Sequence, residues 1–279
     1  MLAFSGAFAG RTLALSQVTD KAAFREGLPP TIQVDYIPFN DPEETFKALK
    51  AHLKRYPNQH ACMSMELVQG EGGFWTATAT FFKELIKVLK EHDIAIWVDE
   101  VQTFARTPKP FAFQYYGLES LVDVVSIGKV SPACATLFRN DFCPKPGLLS
   151  QTFTASTSAI HAATYIVQHA LENDFFGPSG KIQKVNEAFT QGLMKLHEKY
   201  SCVHGPYGIG AMVAFTPFDG SAEIAKTFSK KLFENGVISF MAGQTPTRVR
   251  FLLPVGVLSL DDIDPIMKII EKTIQECRP

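Results

Sequence analysis

The chain has 279 residues, 46% of them hydrophobic and 20% charged, with a formal net charge of −1 at pH 7. That length holds one large or two modest domains, and the balanced charge offers neither a basic face for nucleic acid nor an acidic tail. No apolar run is long enough for a membrane span, and the five cysteines (Cys62, Cys134, Cys143, Cys202, Cys277) include no C-x-x-C pair, which points to a reducing, cytoplasmic setting rather than to a disulfide framework or a metal site.

Residues 2–8 read as a strand entering a turn between Gly6 and Gly10. The apolar start ends in an A-x-A pattern like a secretory leader, but no basic residue precedes it, so the strand reading is preferred. Residues 18–42, rich in Pro, Asp and Gly, are expected to be irregular surface. A helix is predicted over 41–56, with Asp41 as cap, Pro42 in the first turn and Phe46 and Leu49 on one face. A strand over 61–68 ends near Glu66 and Gln69, and Gly70, Gly72 and Gly73 allow a tight exit. Such a turn can bind phosphate, but Glu71 would repel it. Residues 78–91 form an amphipathic helix with Phe81, Phe82, Leu85, Ile86 and Leu89 on one stripe.

Residues 94–131 organise the rest. The runs Ile94-Ala95-Ile96-Trp97-Val98-Asp99 and Leu121-Val122-Asp123-Val124-Val125-Ser126-Ile127-Gly128-Lys129 are short and β-branched, as buried parallel strands are. Each ends in an ionisable residue. Ligands of open α/β sheets sit beyond the carboxyl ends of the strands, so Asp99 and Lys129 can face one ligand. A pyridine ring bearing an aldehyde needs such a pair: a carboxylate to hold the ring nitrogen protonated and an amine to form a Schiff base. An apolar run followed by Asp-Glu also describes the magnesium strand of P-loop ATPases, but no G-x-x-x-x-G-K-[ST] precedes it.

Further on, helices are predicted over 159–173, 181–200, 222–235 and 261–276. A strand-turn-strand over 203–215 contains Gly205, Gly208 and Gly210, and a strand runs over 248–254. This alternation suggests a second, smaller domain.

Three ordered motifs, Glu66-Leu67-Val68-Gln69-Gly70-Glu71-Gly72-Gly73, Asp99-Glu100-Val101-Gln102-Thr103 and Ser126-Ile127-Gly128-Lys129, make the chain resemble the class III, fold-type I, pyridoxal-phosphate-dependent aminotransferases from about Phe4 to its end. The resemblance implies an α/β fold. A mostly parallel large-domain sheet, here incomplete, would occupy residues 1–165 and a small α/β C-terminal domain residues 166–279. It implies pyridoxal 5'-phosphate as cofactor, with Lys129 as the Schiff-base lysine and Asp99 on the ring nitrogen. Phe8, in Phe8-Ala9-Gly10-Arg11-Thr12, and Val101 would cover opposite ring faces. Gln102 would lie near the phenolic oxygen, and Thr152 would bind the phosphate across a dimer interface. Arg11 would take a substrate carboxylate and Arg250 the α-carboxylate of a keto acid, with Glu66 as its paired acid. Arg248 lies two residues away on the same strand face, and only the resemblance separates the two arginines. No metal is implied.

The activity implied is transfer of a terminal amino group from an amine or amino-acid donor to 2-oxoglutarate by a homodimer. Alternatives are a decarboxylase or aminomutase of the same class, or a truncated, catalytically impaired fragment. Ala9 stands where the family has His. The loop Thr103-Phe104-Ala105-Arg106-Thr107-Pro108 lacks the family's glycines. Members of the family are longer, and the part that would precede Met1 carries the main phosphate cradle. The chain alone is therefore expected to bind cofactor weakly and to leave the apolar stripe of the 78–91 helix and the central strands open.

Overall fold

The computed structural model describes residues 1–39, 41–150, 152 and 156–278. The chain divides into one unit of Met1–Leu67, Thr76–Ala105 and Phe111–His169, and another of Val68–Trp75, Arg106–Pro110 and Ala170–Pro279.

The first unit contains, in order, β1 (Leu2–Phe4), α1 (Leu15–Val18), β2 (Asp35–Ile37), α2 (Pro42–Arg55), β3 (Cys62–Met65), α3 (Ala79–Glu91), β4 (Ala95–Asp99), α4 (Ala112–Tyr115), β5 (Val124–Ile127) and β6 (Ala135–Phe138). The sheet order is β2-β1-β3-β4-β5-β6. Every neighbouring pair is parallel except β5 and β6, which are antiparallel. Helices α2 and α3 begin where their caps dictate: Asp41 accepts from the Glu44 amide and Thr78 from the Phe81 amide. Each cap satisfies an amide that the helix leaves open.

The stripe of α3 is closed, contrary to the expectation from sequence: Phe82, Leu85, Ile86 and Leu89 are wholly buried and Phe81 is 5% exposed. Aromatic packing supplies the cover. Phe39 lies 4.3 Å from Phe4, 6.2 Å from Phe81 and 6.1 Å from Phe82 between ring centroids. Full burial of such a side chain contributes about 1.5–3 kcal/mol. The central strands are covered too, with Met63, Met65, Ile96 and Val98 buried. Apolar side chains are exposed elsewhere in this unit, among them those of β6, all four residues of which are exposed, and Ile160 and Tyr165 of the helix α5 (Thr157–Glu172). Asp123 joins α3 to β4: it accepts from the Ile96 amide at 2.7 Å and pairs with Lys90. Strand β2 lies inside the stretch expected to be irregular. Its three residues pair with β1, Leu2 opposite Asp35 and Phe4 opposite Ile37.

The second unit holds α6 (Lys181–Tyr200), β7 (Val203–Ile209), β8 (Met212–Pro217), α7 (Ala222–Glu234), β9 (Phe240–Ala242), β10 (Arg248–Leu252) and α8 (Ile263–Glu276). Its sheet runs β7-β8-β10-β9 and is antiparallel throughout. Phe189 and Leu193 of α6, Phe228 and Leu232 of α7 and Ile270 and Ile274 of α8 pack with Val213, Phe215 and Val249 of the sheet. The turn between β7 and β8 requires Gly210. Its φ is +59°, and a Cβ there would lie 2.2 Å from the Arg106 carbonyl oxygen. That close approach lets the Ala211 amide donate to the same oxygen at 2.7 Å. Among the described residues no helix is long and apolar enough to cross a membrane.

Candidate active site

The parallel sheet of the first unit gathers several of the singled-out residues at one edge. Asp99 is the last residue of β4 and lies opposite Ser126 of β5; Lys129 follows β5 by two residues. Asp99 accepts from the Val101 amide at 2.9 Å. Burial pushes its carboxyl above the usual carboxylate range, and the Val101 amide, Lys129 and Ser126 offset this only in part. A cationic nitrogen beside such a carboxylate would pull it back down, since an opposite charge within about 4–6 Å favours the ionised form. The site therefore fits a protonated pyridine ring. Lys129 has a φ of +58°, a backbone conformation costly for a side chain of its size and one that clusters at functional sites. Gly128 packs against Val101: a Cβ on it would lie 3.5 Å from Val101 Cγ1 and 3.1 Å from Cys134 Sγ. Val101 thus sits against the exit of β5, and Gln102 is buried.

Glu100 is a residue that the sequence reading passed over. It is wholly buried and accepts from the Ala112 amide at 3.0 Å, the Phe113 amide at 2.9 Å and the Thr103 hydroxyl. Burial raises its carboxyl despite these donors. It pins the turn after Asp99 to the start of α4, and the one signal in sequence is an acid followed three residues later by Thr103.

At the ends of β1 and β3 the Phe8 amide donates to Glu66 Oε1 at 2.9 Å. The Phe8 ring meets Phe24 edge-on at 6.0 Å, and the Arg11 guanidinium lies over Phe24 at 3.9 Å. Phe8, Glu66 and Arg11 are thus neighbours, with Arg11 exposed. Thr152 is exposed; residues 151 and 153–155, the rest of its motif, lie outside the described residues.

Within the second unit Arg250 forms an ion pair with Glu71, the arginine side chain 7% exposed and the carboxylate 41%. The sequence reading paired Arg250 with Glu66 and weighed Glu71, which lies 179 residues away in the chain, only against phosphate. Arg248 is enclosed: it is 1% exposed, its guanidinium lies 3.8 Å from the Trp75 ring and 3.5 Å from the Tyr207 ring, and Nη1 donates to the Gly73 carbonyl at 2.5 Å. Burial lowers its pKa to about 10. Geometry therefore distinguishes two arginines that sequence could not.

A family model described as class-III aminotransferase matches residues 1–274. The acetylornithine aminotransferase of Caldanaerobacter subterraneus is 27% identical over 280 residues, which cover 97% of this chain and 66% of that protein. The 5-aminovalerate aminotransferase of Pseudomonas aeruginosa is 27% identical, covering 92% of this chain and 65% of that protein. The lysine aminotransferase of M. tuberculosis superposes with a TM-score of 0.88 at 23% identity, covering 99% of this chain and 66% of its own; the shared architecture is fold type I. The chain thus spans about two thirds of the length of the curated relatives it matches. Pyridoxal 5'-phosphate is the cofactor of this family. With a family match over almost its full length, and an acid and an amine closing two neighbouring strands, the chain belongs to the class-III aminotransferases.

Proposed function

We propose that this chain serves pyridoxal-phosphate-dependent transamination, in which a terminal amino group passes from an amine or amino-acid donor to 2-oxoglutarate. The observation that carries the reading is the pairing of β4 with β5, which sets Asp99 and Lys129 at one sheet edge. When bound, the cofactor supplies an electron sink for charge that develops on the substrate carbon. Asp99 keeps the ring nitrogen protonated. Lys129 would hold the cofactor at rest, and its Nζ would carry a proton between the substrate carbon and the cofactor's aldehyde carbon. Phe8 and Val101 would border the ring faces, Gln102 would donate toward the phenolic oxygen, and Thr152 would contact the phosphate.

Arg11 and Arg250 bind substrate carboxylates. Arg250 must accept a keto-acid carboxylate in one half-reaction and an uncharged or cationic donor in the other. A paired acid, Glu66 or Glu71, covers its charge in the second case, since a buried charge without its partner costs about 3–5 kcal/mol. The names of the relatives, acetylornithine and 5-aminovalerate aminotransferases, support a donor with a terminal amine. In this reading the intact protein works as a cytoplasmic homodimer.

The test is a pair of half-reactions on the cofactor-loaded chain, one with a panel of terminal amines and one with 2-oxoglutarate. Amine-driven loss of the bound cofactor's visible absorbance, restored by 2-oxoglutarate, is the expected result. Carbon dioxide release without amino transfer would shift the assignment to a decarboxylase.

A further inference from the structure

Strand β10 presents two arginines on one face, and they are held in different ways. Arg250 meets a half-exposed acid, Glu71. Arg248 meets two rings and a backbone carbonyl, and among the described residues its Nε has no hydrogen-bond partner. Glu71, Gly73 and Trp75 all belong to the segment Val68–Trp75. That segment is a closed loop: the Gln69 amide donates to the Trp75 carbonyl at 2.9 Å and the Phe74 amide to the Gln69 carbonyl at 2.7 Å. Phe74 is buried with Val68, Met212 and Ala214. The φ of +116° at Gly73 lies where only glycine is comfortable, and it is the Gly73 carbonyl that Arg248 holds.

We propose that Arg248 is a positioning residue for carboxylate recognition: by clamping the Val68–Trp75 loop it holds Glu71 against Arg250, and so sets how readily an incoming carboxylate displaces that acid. The inference rests on the reading of Arg250 as a carboxylate-binding group. Arg248 is enclosed and does not itself reach a ligand. Its planar guanidinium stacks on aromatic faces while donating in its own plane, which an ammonium cannot do. In the Glu71–Arg250 pair the buried arginine is the fixed partner and the half-exposed carboxylate the movable one. Glu71 and a keto-acid carboxylate compete for the same donors. A stiff loop favours Glu71 and therefore a donor without a carboxylate at that end; a loose loop favours the keto acid.

Two substitutions loosen the loop and leave a positive charge at position 248: Arg248→Lys and Trp75→Leu. Calorimetric titration of the 279-residue chain with 2-oxoglutarate should show about fivefold or greater tightening in each, the lower range of energetic coupling between linked sites. In a Glu71→Gln background Arg248→Lys should add nothing, because the competitor has gone. A merely structural arginine predicts weaker binding in both backgrounds. Equal or weaker binding by variants that keep the parent's thermal midpoint overturns the proposal, as does an Arg248→Lys effect that persists with Glu71→Gln. Should Arg248→Lys fail to fold, Trp75→Leu, at a half-exposed site, carries the same test. Arg250→Ala run alongside separates the two levels. If it leaves 2-oxoglutarate binding unchanged, the reading of Arg250 has failed. If it abolishes binding while the loop variants change nothing, only the role of Arg248 has failed. An unaltered chain that does not bind 2-oxoglutarate counts against both.

Discussion

Asp99 and Lys129 stand on neighbouring parallel strands, Asp99 as the last residue of β4 opposite Ser126, and Lys129 two residues beyond the end of β5. Parallel strands bring their carboxyl ends to one edge, so the acid and the amine converge without a long loop to carry either. Glu100 then fixes the chain on the far side of Asp99 through the Ala112 and Phe113 amides.

Lys129→Ala should remove covalent attachment of the cofactor. The chain mixed with pyridoxal phosphate should lose the visible absorbance of the bound form, and borohydride should leave no adduct on the polypeptide. An adduct of undiminished yield, located by peptide mapping, would assign the attachment to another lysine.

Asp99→Asn should lower turnover by about 10²–10³-fold, the usual effect of removing one electrostatic stabiliser of developing charge. It should also act on stability with a definite sign. Burial raises the folded Asp99 carboxyl, so the folded chain prefers the proton. That preference stabilises fully below the unfolded carboxylate range and is lost as pH rises through the folded pKa. The cofactor-free Asn variant should therefore melt higher than the parent at pH 7 and about equally near pH 3, below the unfolded carboxylate range. Each 1 kcal/mol reads as roughly 2–4 °C. A lower midpoint at pH 7 would count against a destabilising buried charge.

Arg250→Ala should slow the 2-oxoglutarate half-reaction more than the donor half-reaction, because only the first presents a carboxylate in place of Glu71. Single-turnover rates for the two halves measure the split. Equal damage to both would mark Arg250 as structural.

Glu100→Ala should destabilise the chain by about 2–4 kcal/mol, since it strands two buried amides and a hydroxyl together. Urea unfolding followed by circular dichroism reads this directly. A loss under 1 kcal/mol, on the scale of a single ordinary hydrogen bond, would show that water replaces the carboxylate.

Long periodic segments were legible in the sequence. The predicted bounds of the helix Lys181–Tyr200 match the structure, because apolar residues at helical spacing determine a buried face. Asp41 caps as expected, and Thr78, read as the first residue of its helix, proves to be the cap. The short strands β2, β6 and β9 were not read: three or four residues carry no period, and neighbouring strands rather than side-chain pattern hold them in place. The same limit applies to the site. Local motifs brought Asp99, Val101 and Lys129 into view, whereas no local pattern links Glu71 to Arg250 or Trp75 to Arg248. Covering the stripe of α3 required Phe4 and Phe39, residues that sequence gave no reason to place over it.

Strand β6 has a consequence for handling the protein. It closes one side of the sheet in antiparallel register with β5, and Leu137 and Phe138 are 45% and 43% exposed. A terminal strand with apolar side chains and open backbone groups templates further strands, and a net charge of −1 gives molecules little mutual repulsion at neutral pH. The storage limit of the isolated chain should thus be set at this border and not by unfolding: turbidity should grow with concentration at temperatures where the native signal is intact. A single Leu137→Lys replacement should extend the clear range with no change in melting temperature.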